Sequence, residues 1–557
     1  MAEPVQEPQR AFSDPLPEER LESWKAIAVF LNRDVSTVQR WEKRAGLPVH
    51  RHPSPQVTAV FAYKSELDAW REAGRARLHP PPRTPGIQQP PRLIVLPFEN
   101  LSGNPEEEYF SDGITEEITT QLARRHPEQV AVIGRASAMK YKRRPKSIKD
   151  IGREMGAEYV LEGSVRRAAD RVRVTAQLIE SAPQTHVWAE SFESGLPDVL
   201  SLQTEVAESI AEEIGGKLGE KPPQAEPAPE PVNPEAYVAY LKALHLWNQW
   251  SPAHFPQCEG YLSQAVERDP DYAPAHALLA LCQCGMGFLR PPREACPRAR
   301  ATAMRALELD ETSAIAHATV GWLKAAFDRD WAGAEQESTL ATELDPGNVE
   351  ACWCRTGLLS TIRRFEEAIR EVKRGLEWHP AAPLMNGLLG WVYFMSRCYD
   401  KAIEQYRRTL GFDPNFSTAR LHLAWGYTLA GRLEEAGKEF RILQAAGHRP
   451  LNPWLACYYA ACGKPAEARA MAEELEERAA HQYVDGHFMA IAYAGLGDKD
   501  RAFQWLERAF DERAIMLQQV QVEPFLDPLR DDPRFDDLLR RMGFPQRDAA
   551  LSAREAS

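Results

Sequence analysis

The chain has 557 residues, which at roughly 100–200 residues per domain predict three to five folding units rather than a single enzyme fold. Hydrophobic residues make up 44% and charged residues 26% of the chain, a composition that excludes a mainly disordered or collagen-like protein. The net charge of −13 argues against a protein that coats nucleic acid with its whole surface, but a global sum can hide a locally basic module.

The sequence predicts a cytoplasmic protein without a membrane anchor. No window approaches the ~20 consecutive apolar residues of a membrane helix. The amino-terminal residues also lack the basic stretch followed by an apolar stretch that is typical of a secretion signal. All nine cysteines lie between Cys258 and Cys462, and in such a chain we expect free, packed thiols rather than disulfides. Cys282 and Cys284, like Cys352 and Cys354, look like pairs. However, residues two apart on a helix point to different faces, and metal sites need a gap of two to four residues plus a second cluster, so we expect no metal and no cofactor.

Two proline-rich stretches, residues 79–91 and 219–233, are too poor in packable side chains to form a core and predict linkers. They separate blocks with different periodicities. The expected division is a disordered start (1–19), a small module (20–78), an α/β domain (92–218), helical repeats (234–513), a helical cap (514–545) and a disordered tail (546–557).

The first module is locally basic, with nine Lys or Arg against six Asp or Glu residues between Leu21 and Arg75. Apolar residues at i, i+3, i+4 and i+7 predict an amphipathic helix: Trp24, Ile27, Ala28 and Leu31. A second helix begins at Ser36, where Ser36 to Gln39 has the spacing of a capping box, and Val38 and Trp41 continue the core face.

The opposite face of this second helix carries hydroxyl groups and cations that suit phosphates and base edges. These residues are Ser36, Thr37, Arg40, Lys43 and Arg44. Gln39 is ambiguous, because the capping box also uses its amide. The β-rich stretch 57–63 then predicts a wing, and residues 65–71 predict a last helix.

The residues VSTVQRWEKRAGLP and FAYKSELDAW resemble the MerR-like and excisionase-like winged helix-turn-helix family over about 55 residues. The resemblance implies that the second helix lies in the major groove and that Arg51, Tyr63 and Lys64 contact the flanking backbone. MerR regulators dimerise through a long helix after the wing, for which the prolines from Pro80 leave no room. A homo-oligomer would therefore use other contacts.

The second block alternates strand and helix patterns and predicts a small α/β domain with a mixed sheet. Strands are expected at 93–98, 129–133, 159–165, 171–178 and 186–192, and helices at 106–125, 147–156 and 196–218. The stretches VLPFENLSGNPEEEYFSDGITEEI and GAEYVLEGSVRR resemble the TolB-amino-terminal-like domain of bacterial signalling proteins. We expect the acidic residues between Glu106 and Glu117 to be a solvated helix face and the basic tract 140–146 a solvated loop.

In the third block, Asp-Pro or His-Pro stops at Pro346, Pro380 and Pro414 recur every 34 residues, the period of tetratricopeptide (TPR) repeats. Small residues such as Ala402 and Ala436 would let paired helices approach closely. We expect a loop between Cys282 and Pro297. The final helix should begin after Asp532, with its apolar side chains covering the last repeat: Phe535, Leu538 and Leu539.

The fold class expected is therefore multidomain, a winged helix-turn-helix followed by an α/β domain with a mixed sheet and an all-α TPR superhelix. These parts favour a cytoplasmic transcriptional regulator or signalling protein that binds double-stranded DNA and holds protein or peptide partners on the TPR groove. The alternative is a scaffold that uses the winged helix for protein contacts, without DNA. The sequence shows no kinase motif set, phosphate loop or assignable triad, so we expect no enzyme activity.

Overall fold

The computed structural model describes residues 20–31, 35, 38, 42, 47–51, 60–67, 90–125, 129–142, 146–218, 232–447 and 452–545. The chain separates into two compact units, residues 1–88 and residues 89–557. No helix in these described ranges is both long and apolar enough to cross a membrane.

The amino-terminal unit contains a helix and a small antiparallel sheet. Strand β1 (Arg20–Leu21) precedes helix α1 (Trp24–Leu31), and strands β2 (His50–Arg51) and β3 (Val60–Tyr63) follow, in the sheet order β1-β3-β2. The predicted first helix is confirmed, and it buries Ile27 and Ala28. The rest of the core comprises Val38, Leu47, Val60, Ala62 and Leu67. The helix-turn-helix stays a prediction, because most of its second helix lies outside the described residues.

The region of residues 92–218 is the expected α/β domain with a mixed sheet. Its strands are β4 (Arg92–Val95), β5 (Glu99–Asn100), β6 (Ala131–Ile133), β7 (Tyr159–Ala168), β8 (Arg171–Glu180) and β9 (Thr185–Gly195). Its helices are α2 (Glu108–Arg125), α3 (Arg135–Ala138), α4 (Ile148–Met155) and α5 (Val199–Leu218). The strand order is β6-β4-β7-β8-β9, with β5 beside β7; β4 pairs in parallel with β6 and β7, whereas β7, β8 and β9 are antiparallel.

Local sequence explains these elements. In β8 every second side chain, from Val172 to Leu178, is buried, as the alternation predicts. Helix α4 begins where the Ser147 side chain accepts a hydrogen bond from the N–H of Asp150. It ends at Gly156, whose φ of 62° is the left-handed conformation that favours glycine.

Residues 234–511 form an array of sixteen helices in eight consecutive pairs within the described ranges. The first helices are α6 (Pro234–Trp247), α8 (Ala273–Met286), α10 (Ala314–Leu323), α12 (Val349–Thr361), α14 (Pro383–Met395), α16 (Ser417–Leu429), α18 (Asn452–Ala461) and α20 (Gly486–Gly495). The second helices are α7 (Phe255–Arg268), α9 (Pro292–Leu309), α11 (Trp331–Leu344), α13 (Phe365–Trp378), α15 (Tyr399–Phe412), α17 (Leu433–Ala445), α19 (Pro465–His481) and α21 (Lys499–Asp511).

The 34-residue period is confirmed, because α12, α14 and α16 start at positions 349, 383 and 417. Small residues hold the helices close together. Ala402 and Ala436 are completely buried, and an ideal Cβ on Gly390 would lie 2.5 Å from Cε1 of Tyr406. The array is TPR-like in this repeated helix-pair plan.

The prediction of a loop between Cys282 and Pro297 is wrong for most of that stretch. Helix α8 runs to Met286 and α9 starts at Pro292, so only residues 287–291 connect them. Proline fits the first position of a helix, where its missing N–H would be unpaired anyway. Pro297 lies inside α9, where buried Ala295, Cys296 and Ala299 retain the helix against the loss of one backbone hydrogen bond.

The chain closes with 3₁₀ turns at Ile515–Gln519 and Pro524–Leu529 and with helix α22 (Pro533–Met542). Asp532 caps α22 as predicted, since its carboxylate accepts a hydrogen bond from the N–H of Arg534. Phe535 and Leu538 are buried. Phe544, just after α22, contacts the third helix pair, where its ring stacks on that of Trp331 with the centroids 4.7 Å apart.

Candidate functional site

The structure describes three of the predicted DNA-contacting residues, Arg51, Tyr63 and Lys64. The other six lie outside the described residues: Ser36, Thr37, Gln39, Arg40, Lys43 and Arg44. The three described residues belong to the small sheet or follow it directly. Only for these three residues of the predicted DNA surface can contacts and distances be given.

Arg51 is at the outer strand of this sheet and remains 65% exposed. One of its guanidinium nitrogens, Nη1, lies 2.7 Å from Oε1 of Glu42. The hydrogen bond that Arg51 donates to Glu42 raises the pKa of Arg51, so the guanidinium stays charged at all physiological pH values. Its exposed edge can still meet a phosphate, although Glu42 compensates part of its charge.

Tyr63 lies on the other face of the sheet from Arg51. Arg51 is opposite the buried Val60, whereas Tyr63 shares its face with Phe61, because side chains alternate along a strand. The Tyr63 ring contacts the ring of His50 at a centroid distance of 5.8 Å. Lys64 follows, with its Nζ 5.7 Å from the Phe30 ring. The structure thus does not gather the three predicted wing residues on one face.

A second candidate site lies at the junction of the α/β region and the array, around Asp112 of α2. Its carboxylate is almost fully buried and lies close to two cations, Lys142 and Arg135, and to the imidazole of His245. Oδ1 is 2.6 Å from Nζ of Lys142, and Oδ2 is 3.3 Å from Nδ1 of His245 and 3.8 Å from Nη2 of Arg135. We call these four residues the Asp112 cluster. Because Asp112 is buried, the prediction that the acidic residues form a solvated helix face is wrong at this position.

The Asp112 cluster extends to two further carboxylates, which balance its cations. Lys142 also pairs with Glu108 at 2.8 Å, and Arg135 pairs with Glu116 at 3.0 Å. Glu116 in turn accepts a hydrogen bond from Nδ2 of Asn248 in the array. The expectation of a solvated basic loop is therefore wrong for Lys142, which is a member of this network.

Burial alone would raise the pKa of Asp112, but hydrogen bonds and charges from its neighbours lower it below the ordinary value. His245 makes the largest of these contributions, followed by Arg135 and Lys142. Asp112 is therefore ionised at neutral pH. Since His245 belongs to α6, the cluster is an electrostatic joint between the α/β region and the first helix pair.

Sequence reasoning missed the Asp112 cluster because it assumed one buried face on α2. The helix packs against α5 on one side and α6 on the other. A signal was present in Ser111, Thr115 and Thr119, small polar residues that are buried and bond to backbone carbonyls of their own helix. Such residues let a second helix approach closely.

The cysteines form no site of this kind. Seven of the nine are buried free thiols, as the packing interpretation predicts. Among the described residues, no group of three or more His, Cys, Asp or Glu side chains is arranged to hold a metal ion. The two candidate sites are therefore the exposed residues of the small sheet and the buried Asp112 cluster.

Comparison with known proteins identifies the domain that carries Asp112. Residues 89–209 match the family model described as the second domain of HilA/YgeH-like transcriptional regulators. This match supports a regulatory context for the α/β region, while the resemblance to TolB amino-terminal domains stays a prediction.

Two curated relatives match parts of the chain. A protein of Rhizobium meliloti (strain 1021), named putative adenylate cyclase 3, is 37% identical over 217 residues, which are 39% of this chain and 36% of that protein. Human tetratricopeptide repeat protein 13 is 29% identical over 98 residues, which are 18% of this chain and 11% of that protein. The chain therefore spans about a third and about a tenth of these relatives.

The first of these relatives contradicts the expectation that the chain is not an enzyme, because it carries the name of an enzyme. That expectation was inferred from the lack of phosphate-loop, kinase and triad motifs. Such motifs are a poor basis for excluding catalysis, since catalytic groups are defined by their geometry and can come from distant positions.

Solved structures show similar helical arrays at low similarity. Human IFIT1 bound to m7Gppp-AAAA is 14% identical with a TM-score of 0.37, covering 56% of this chain and 77% of that one. A thermophilic TPR protein of Thermus thermophilus is 14% identical with a TM-score of 0.30, covering 34% and 98%. The family match and the observed helices together show a HilA/YgeH-like transcriptional regulator domain at residues 89–209, followed by a long all-helical, TPR-like array.

Proposed function

We propose that this protein is a cytoplasmic transcriptional regulator that binds double-stranded DNA through residues 20–78 and protein partners through its helix array. The observation that carries the proposal is the match of residues 89–209 to a domain of HilA/YgeH-like transcriptional regulators. This domain directly follows a locally basic module with the pattern of a winged helix-turn-helix. A regulator domain beside such a module favours DNA as the ligand.

The proposed DNA surface combines the cationic face of the second helix, centred on Arg40 and Lys43, with Arg51 at the edge of the sheet. Cations in the second helix suit the major groove, and an exposed Arg51 suits a neighbouring phosphate. Tyr63 and Lys64 are on a different side of the sheet or beyond it, so they support the fold of the module more than the same DNA contact.

The Asp112 cluster gives the proposed regulator a fixed connection between its α/β region and its array. A partner held by the array would act on a chain in which these two parts are joined by ion pairs and by a shared apolar core. The array therefore suits a role as a platform for partner proteins.

The test is a measurement of duplex binding by the full-length chain. We expect selected genomic fragments to bind with an affinity that falls as salt increases. The slope of log affinity against log salt concentration should correspond to contacts with several phosphates. Arg40→Glu/Lys43→Glu should abolish this binding, while Lys25→Glu, an exposed change on α1, should weaken it less. If the double variant retains duplexes as well as the unchanged chain does at low ionic strength, the scaffold alternative replaces the regulator.

A further inference from the structure

The segment Arg513–Leu529, which we call the closing segment, runs along the carboxyl ends of successive first helices of the array. It begins beside α8, where Cδ1 of Ile515 would be 3.3 Å from a Cβ on Gly287. It ends beside α14 and α16, where the Phe525 ring lies 6.1 Å from the ring of Phe394 and 6.2 Å from that of Trp425. The segment thus crosses five helix pairs and does more than cover the last one.

Hydrogen bonds join the closing segment to the array in both directions. Arg513 donates to the carbonyl oxygen of Phe327 and Gln521 to that of Thr361, each at 2.6 Å. These two acceptors are 34 residues apart, at equivalent helix ends. In return, Arg397 donates to the carbonyl oxygen of Val522 at 2.8 Å and pairs with Asp527 at 2.6 Å. Hydrogen bonds to main-chain carbonyls of this kind hold a bound segment without depending on its side chains.

The turns that face the segment have an unusual residue. Arg329, Arg363 and Arg397 are 34 residues apart, and all have a φ of 62–63°. The later pairs place glycine in the same kind of turn, at Gly431, Gly463 and Gly497. A side chain is less favourable than glycine in this conformation. Arg397 offsets that strain by binding the closing segment, and Arg329 by donating to the carbonyl oxygen of Phe510, just before it.

The apolar side chains of the closing segment are inserted into the core of the array. Each of the following is at most 4% exposed: Ile515, Leu517, Val520, Val522, Phe525, Leu526 and Leu529. Most belong to the same core as residues of α14, α16, α18 and α20. Because these side chains are almost completely buried, the closing segment is an integral part of the folded array and not a loosely bound tail.

We propose that the ends of the first helices form a peptide-binding surface whose occupant is the closing segment of the same chain. The surface is selective for a segment of short 3₁₀ turns that supplies an apolar anchor, a main-chain carbonyl and a carboxylate, as Phe525, Val522 and Asp527 do. Because this occupant is already bound, partner peptides are excluded from these helix ends, and partner proteins use other faces of the array. The inference does not depend on the proposed DNA contact.

The test is hydrogen exchange of the full-length chain, compared between variants. In the unchanged chain, amides of residues 515–529 should be protected as strongly as those of α14. Arg397→Glu should speed their exchange by about tenfold, because it replaces a charge-assisted bond by repulsion from Asp527. The charge-swapped Arg397→Glu/Asp527→Arg chain should recover part of the protection, because it restores the pair between these two positions but removes the pair of Asp527 with Arg530.

Arg432→Glu is the matched control, because Arg432 lies in the next turn of the array and pairs locally with Glu435. It should leave exchange in the closing segment unchanged. Gln521→Ala is a milder second variant that removes only the bond to Thr361. It should increase exchange near residue 521 without unfolding the chain.

A labelled synthetic peptide of residues 513–529, added to the unchanged chain, should not bind. Saturable binding of this peptide would overturn the proposal, since the surface would then be vacant. Exchange in residues 515–529 as fast as in an unstructured peptide would also overturn it. So would an equal effect of Arg397→Glu and Arg432→Glu.

Discussion

Gly134 and His379 lie so close that an ideal Cβ on Gly134 would stand 1.8 Å from Cε1 of His379. Gly134 starts α3 of the α/β region, and His379 ends the fourth helix pair. The Gly134 N–H donates to the carbonyl oxygen of Trp378 at 2.8 Å, and nearby the Ala381 N–H donates to Oγ of Ser137 at 3.0 Å. The α/β region is thus attached to the array at a contact that only glycine permits.

Gly134→Ala should therefore destabilise the junction. The added methyl group has no space unless His379 moves, and overpacking of this kind costs about 1–3 kcal/mol. The urea midpoint of the full chain should fall accordingly. Gly216→Ala is the control, because no atom lies within 4 Å of a Cβ there and alanine favours the helix. Equal midpoints for the Gly134 variant and the unchanged chain would contradict the close contact.

The Asp112 cluster gives a second prediction. Asp112→Asn keeps the shape of the side chain but leaves Lys142, Arg135 and His245 without their central negative charge. Breaking a buried ion pair from one side costs about 3–5 kcal/mol, an upper value here since Glu108 and Glu116 remain. We expect a lower urea midpoint and faster hydrogen exchange in α6. Glu106→Gln, at an exposed position of the same acidic run, should change neither quantity.

Sequence patterns could predict the elements of this fold but not the contacts between its parts. The alternation from Val172 to Leu178 and the stops at Pro346 and Pro380 are local, and both gave correct elements. The approach of Gly134 to His379 joins residues 245 positions apart, and no periodicity signals it. The same holds for Asp112, whose burial depends on how α6 is placed.

The described part of the proposed DNA surface allows a prediction about the salt dependence of duplex binding. Arg51→Ala should weaken duplex binding of the full chain a few-fold and reduce the salt slope by about one, the signature of one lost phosphate contact. Lys25→Ala, on an exposed position of α1, should have a smaller effect. Fluorescence anisotropy at several salt concentrations measures both. An unchanged slope for Arg51→Ala would mean that Arg51 serves only its ion pair with Glu42.

Acid should destabilise the array through His422. The ring of this residue lies 4.5 Å from the ring of Trp425 and 5.6 Å from that of Tyr406. Burial lowers its pKa to about 4, below the ordinary value of 6.5. Between these two pKa values the unfolded chain binds a proton that the folded chain does not, so stability falls as the pH drops below 6.5.

The size of this effect follows from the same two pKa values. Lowering the pH from 7.5 to 5 should remove on the order of 2 kcal/mol of the free energy of unfolding through His422 alone. His422→Phe keeps an aromatic ring against Trp425 but cannot bind a proton, so its urea midpoint should fall less over this range. Because burial also lowers the pKa of His379, the variant should keep a residual acid sensitivity. An identical pH dependence with and without His422 would show that its ring is hydrated in the folded chain.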